Sequence, residues 1–150
     1  MEMPMRHLPL ALLATLTLVQ PAFAQNADTE SVIRTLGLSD TSIHPKRERH
    51  HGTTIDGRLP GGTRVEVELE GDGSVEEIEA RDRQGFSPSA VVSLIPAAVR
   101  DNASYPADAM FHKVELDDRD HIEIEGRSAD GRLFEAEFAR DGRLIEMDYD

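Results

Sequence analysis

Two stretches of the chain alternate apolar and charged residues with a period of two. Val65, Val67 and Leu69 alternate with Glu66, Glu68 and Glu70; Phe134, Ala136 and Phe138 alternate with Glu135, Glu137 and Ala139. This alternation predicts strands with one buried and one wet face. Asp72-Gly73 and Asp141-Gly142 follow and supply the positive φ of a tight hairpin turn. The returning strands are predicted at Val75–Ala80 and Leu144–Tyr149, with Ile145, Met147 and Tyr149 on one face. In the first hairpin Glu76 takes the place of Ile145, so that strand is expected to be less buried.

Other segments carry helical spacing. Ser87-Pro88 reads as a helix start, and Val91, Val92, Leu94, Ile95, Ala98 and Val99 form an apolar face. Pro96 interrupts it and is expected to kink the helix or split it in two, the second part starting at Pro96. Asn102 to Pro106 ends it, and strands follow at Met110–Leu116 and His121–Gly126, joined by Asp117-Asp118-Arg119-Asp120. Nearer the start, Asp28 is expected to cap a short helix carrying Val32, Ile33 and Leu36, which Gly37 ends. Thr41–Ile43 and Thr53–Ile55 read as weak strands.

The two hairpins repeat. At an offset of 69, residues 55–81 and 124–150 align without a gap and nine of 27 positions are identical. Ile55-Asp56-Gly57-Arg58 falls on Ile124-Glu125-Gly126-Arg127, Gly62 on Gly131, and Glu66 and Glu68 on Glu135 and Glu137. Acidic hairpins look alike by chance, but a gapless run with matched glycines favours a duplication. The expected fold is therefore α+β. It has two repeated units, each a helix packed on an antiparallel β-sheet of about four strands. The expected boundaries are residues 25–82 and 83–150, with Arg83-Gln84-Gly85 as the linker.

Residues 1–24 read as an address. Arg6 precedes an apolar run from Leu8 to Val19, and Ala22-Phe23-Ala24 has the small-x-small pattern of a signal-peptide cleavage site. A run of roughly 12 residues is too short for a membrane span, which needs about 20. Cleavage is expected after Ala24, giving a periplasmic or secreted chain that is not membrane-embedded.

Composition narrows the classes. The formal charge is -13, from 29 acidic and 16 basic residues, which argues against nucleic acid as a partner. No cysteine is present, so neither a disulfide framework nor a thiol nucleophile is available.

Leu94-Ile95-Pro96-Ala97-Ala98-Val99, then Tyr105-Pro106, then strands punctuated by Asp130-Gly131 and Asp141-Gly142, resemble a PepSY-type domain. Residues 93–150 match the pattern, and residues 28–82 look like a divergent copy without the Pro-containing helix start or the Tyr-Pro exit. The resemblance implies an exported bacterial protein with a helix on an antiparallel sheet. A tandem arrangement looks like the fold of β-lactamase inhibitor proteins. It further implies a role in restraining peptidases or binding other envelope proteins, with no catalytic residue to carry over.

The residues themselves point the same way. There is no Gly-x-Ser-x-Gly, phosphate-binding glycine loop or His-Glu-x-x-His, so no enzyme and no cofactor is expected. The alternating carboxylates read as solvated sheet faces. His44, His50, His51, His112 and His121 are the candidate metal ligands. They are read either as exposed residues at strand ends and turns, or as groups lining up across a sheet to hold zinc or copper, with Asp117, Asp118 or Asp120 nearby. The basic stretch Lys46-Arg47-Glu48-Arg49 reads as a charge balance for an acidic hairpin or as a partner-contacting patch. The leading expectation is a non-enzymatic module that presents an acidic sheet surface to an envelope protein. The alternative is a periplasmic binder of divalent or transition metals.

Overall fold

A computed structural model describes residues 27–46, 51–116 and 121–150. The element order is α1 (Ala27–Leu36), β1 (Ser39–Pro45), β2 (Gly52–Arg58), β3 (Arg64–Glu70), β4 (Val75–Ala80), a 3-10 turn (Pro88–Val91), α2 (Ala97–Arg100), β5 (Met110–Leu116), β6 (His121–Arg127), β7 (Leu133–Ala139) and β8 (Leu144–Tyr149). All eight strands form one antiparallel sheet in the order β1-β2-β3-β4-β5-β6-β7-β8.

This corrects the expectation of two units, each a helix on its own sheet of about four strands. β4 pairs directly with β5 through Glu77↔Glu115, Ile78↔Val114 and Glu79↔Lys113, so the sheet has no break at its middle. The core is likewise one cluster, running from Leu36 and Ile55 through Ile78 and Val114 to Phe138. The helical layer is thin. Pro88 and Pro96 limit the second helical stretch to a four-residue 3-10 turn and a four-residue helix. Physically, an unpaired β4 edge would leave backbone N–H and C=O groups without partners, and β5 supplies them.

One transverse row holds the core together. Ile43, Ile55, Val67, Ile78, Val114, Ile124, Ala136 and Met147 stand opposite one another on successive strands. Six of them, from Ile55 through Ala136, are fully buried. Each large member contributes roughly 1.5–3 kcal/mol by leaving water. Val32, Ile33 and Leu36 of α1, with Val91, Ile95 and Val99, cover this face. Phe111 sits among Phe86, Tyr105 and Phe134, all in edge-on contact at 6.1–6.5 Å.

The repeat persists as twin hairpin geometry within the single sheet. Arg58 donates to the Gly62 carbonyl and Arg127 to the Gly131 carbonyl, at 2.6 and 2.7 Å. Bulges fall at Glu68/Leu69 and at Glu137/Phe138, again 69 residues apart. Gly73 and Gly142 have φ of 87° and 91°. A side chain on Gly73 would collide with Asp28 of α1, and one on Gly142 with Ala98 of α2, so both turns lie tight against helices.

Several local expectations need adjustment. β1 and β2 are each seven residues long, not weak fragments. Asp28 lies inside the first turn of α1 rather than before it, while Gly37 ends the helix with φ 64° as expected. The β8 bulge shifts the phase of that strand. Met147 and Tyr149 pair with Ala136 and Phe134, but Ile145 falls at the bulge and is 37% exposed. Asp117–Asp120, Arg47, Glu48, Arg49 and residues 1–26 lie outside the described residues.

Candidate functional site

The face opposite the core is covered with carboxylates in two transverse rows. The strand register gives the first as Ser42, Asp56, Glu66, Glu79, Lys113, Glu125, Glu135 and Asp148, from β1 to β8. The second is His44, Thr54, Glu68, Glu77, Glu115, Glu123, Glu137 and Glu146. In the second row six glutamates follow one another on consecutive strands. Lys113 is the one lysine or arginine at any of these positions. Side chains opposite one another in a pair lie about 4.5–5.5 Å apart at Cβ, and like charges so placed destabilise the sheet.

Cations thread between the rows. Lys113 Nζ lies 2.9 Å from Glu115, 3.1 Å from Glu125 and 3.4 Å from Glu123. Burial works against its charge, but hydrogen bonds to Glu115 and Glu125 outweigh that and raise its pKa. Lys46, directly after β1, reaches across to Glu68, at 3.1 Å, and to Glu76. The described part of the basic stretch therefore does balance an acidic hairpin. Arg81 binds Glu66 and Glu79, and its hydrogen bond to Glu66 raises its pKa. Burial raises the pKa of Glu77, with Lys113 opposing and Glu115, Glu68 and Glu79 adding to the rise. Burial likewise raises that of Glu123.

The histidines are scattered over this face and its margins. His44 lies on edge strand β1, with Nε2 3.7 Å from Asp56 Oδ2. His51 is exposed just before β2. His112 sits at the β5 bulge, lining a recess of about 540 Å³ with Glu125, Glu135, Asp148 and Tyr149. His121 opens β6, with Nδ1 2.6 Å from Glu137. His50 lies outside the described residues. β1 and β5 are four strand spacings apart, roughly 19 Å at ~4.8 Å each, so His44 and His112 do not meet. What His44 does meet is Asp56 and Glu66, with one possible ligand atom from each lying within 4.8 Å of the others. The sequence does not single out these two carboxylates, because only strand register sets Asp56 of β2 beside β1 and Glu66 of β3 opposite Asp56.

Comparison with known proteins assigns no family. No family model matches the chain, and no curated protein matches it. Among solved structures, the chain has a distant likeness to the crystal structure of a DUF2874 family protein from Bacteroides uniformis. The two are 14% identical, over 83% of this chain and 88% of that one, with a TM-score of 0.35. Among the described residues, no helix is long and apolar enough to cross a membrane.

Proposed function

We propose that this protein is an exported, non-enzymatic binding module whose carboxylate face docks a basic protein partner of the cell envelope. One observation carries the reading: acids at twelve of the sixteen positions of the two rows, in a register that sets like charges directly opposite. Glu68, Glu77, Glu115, Glu123, Glu137 and Glu146 form an unbroken chain of such pairs. Pairs of this kind work against folding, by tenths of a kcal/mol up to about 1 kcal/mol each. A cationic surface laid over the rows relieves that repulsion on binding.

The duplication adds support. Glu66, Glu68 and Glu77 are identical to their twins Glu135, Glu137 and Glu146, whereas the buried Val65, Val67, Leu69 and Ile78 are replaced by Phe134, Ala136, Phe138 and Met147. At these three positions the open face keeps its glutamates unchanged between the two halves. The signal-like segment at residues 1–24 and the PepSY-type resemblance of residues 93–150 supply the envelope setting and the peptidase as a class of partner. Complementary charge of this kind speeds encounter and selects partners.

The test is capture from envelope extract at low salt, comparing the natural chain with a variant carrying Glu77→Lys and Glu123→Lys, followed by cross-link mapping. The expected result is a basic protein that is cross-linked to the rows and is lost both in the variant and at high salt. Identical capture by both chains removes the proposal.

A further inference from the structure

The geometry points to a divalent transition-metal site formed by His44, Asp56 and Glu66, on three adjacent strands at the β1 end of the open face. The three potential ligand atoms lie within 4.8 Å of one another. The closest measured approach, His44 Nε2 to Asp56 Oδ2, is 3.7 Å. A tetrahedral zinc with bonds of about 2.0–2.1 Å holds its ligand atoms roughly 3.3–3.4 Å apart. One pair is therefore near its final spacing, and Glu66, the longest of the three side chains, closes the remainder by rotation.

The sheet fixes the backbone beneath. Asp56 stands opposite Glu66, and His44 stands opposite Thr54, one step diagonally from Asp56. Diagonal neighbours in a sheet remain within side-chain reach. The side chains of His44, Asp56 and Glu66 are 33%, 41% and 19% exposed, so the site is open to an ion and leaves a coordination position for water. One imidazole and two carboxylates suit a borderline ion such as zinc, and their two negative charges balance its two positive ones.

The repeat sharpens the assignment. In the second half the equivalent acids, Glu125 and Glu135, stand beside Lys113, and Glu115 holds the row position of His44. In the first half Ser42 replaces that lysine and His44 replaces that glutamate. The first half thus exchanges an ammonium group for a metal-binding imidazole next to two facing carboxylates. Arg81 is the local competitor. It bonds Glu66 through Oε2, which leaves Oε1 for the metal.

The experiment is calorimetric titration of the full chain with zinc in chelator-free buffer, paired with Mn²⁺ broadening of NMR signals. The expected result is one saturable site, with broadening centred on residues 42–44, 54–56 and 66. Ligand variants His44→Gln and Asp56→Asn each weaken zinc by about tenfold or more, the scale on which even supporting contacts of a metal site act. Arg81→Gln tightens it by removing the competing cation. A control with Glu123→Gln and Glu137→Gln leaves it unchanged. No saturable binding by the natural chain overturns the assignment. So does His44→Gln titrating like the natural chain, or the control losing the site, since the ion would then be held diffusely by the rows. Thermal unfolding without zinc establishes that each variant folds, and the two ligand variants check each other.

Discussion

Replacing Lys113 with methionine tests the electrostatic description of the open face most directly. Methionine keeps much of the aliphatic stem and removes the ammonium group that three glutamates share at 2.9–3.4 Å. The lysine side chain is 24% exposed, between the two well-measured regimes. Exposed ion pairs contribute 0.2–1 kcal/mol each, and breaking a fully buried pair costs about 3–5 kcal/mol. Three partly screened pairs place the loss at about 2–3 kcal/mol at neutral pH and low salt. At roughly 2–4 °C per kcal/mol for a chain of this size, melting falls by about 5–10 °C. The loss comes from carboxylates left facing one another, so its dependence on conditions is fixed. Near 1 M salt the screening length drops to ~3 Å, and the deficit shrinks by about half. It shrinks again in acid as Glu123, whose pKa burial raises, takes up its proton. Lys113→Arg, which keeps the charge, retains most of the stability. Paired melts of the natural chain and both variants across salt and pH provide the assay. A deficit that stays the same in low and high salt refutes the electrostatic account and makes Lys113 a packing residue.

The remaining predictions concern pH and packing. Burial raises the pKa of Glu77 and Glu123, so the folded state binds their protons more readily than the unfolded chain, and stability drops as pH rises through those values. Asp72 and Asp130 are held low, chiefly by hydrogen bonds from Ser74 and Ser128, so their contribution is lost as pH falls through their lowered values. Melting should therefore peak on the acid side of neutrality, and a steady rise from pH 5 to 8 contradicts the glutamate assignment. The twin glycines should differ. A Cβ on Gly126 collides with the Met110 carbonyl and comes within 3.0 Å of the Phe134 ring, whereas one on Gly57 meets Leu38 and Thr41 at 3.4 Å. Gly126→Ala should cost about 1–3 kcal/mol or more by denaturant unfolding, and Gly57→Ala clearly less. Ile124→Ala should cost about 2–5 kcal/mol, and Ile145→Ala, at the exposed bulge, no more than about 0.5 kcal/mol.

Much of the local structure was legible in the residues. Alternation located β3, β4, β7 and β8, the Asp-Gly pairs located their turns, and Pro96 marked the break between the 3-10 turn and α2. What escaped was long-range. β4 and β5 are separated by residues 81–109, and nothing in a period-two pattern says which distant strand fills an open edge. The bulge in β8 is equally silent, because one extra residue turns Ile145 outward while its neighbours look unchanged. The site shows the same division. Each alternating glutamate was readable as wet, but their alignment into rows, and the meeting of His44 with Asp56 and Glu66, exist only once strand register is known.

Strand order along the sheet is strand order along the chain, and this shapes how the protein reaches its fold. Every pairing but one joins strands linked by a short connection, and hairpins of that kind close in about 1–10 µs. The exception is β4 with β5, whose connection spans residues 81–109. Each doubling of a loop adds about 0.6 kcal/mol of closure entropy, so this join, resting on three registered pairs, comes late. Closure entropy predicts that two four-stranded meanders form first and meet last. Until they meet, Ile78 and Val114 stand at bare edges, and that interval is when the growing chain is most open to aggregation. Charge at the join cuts both ways: Glu77 faces Glu115 across it, which opposes closure, and Glu79 faces Lys113, which favours it.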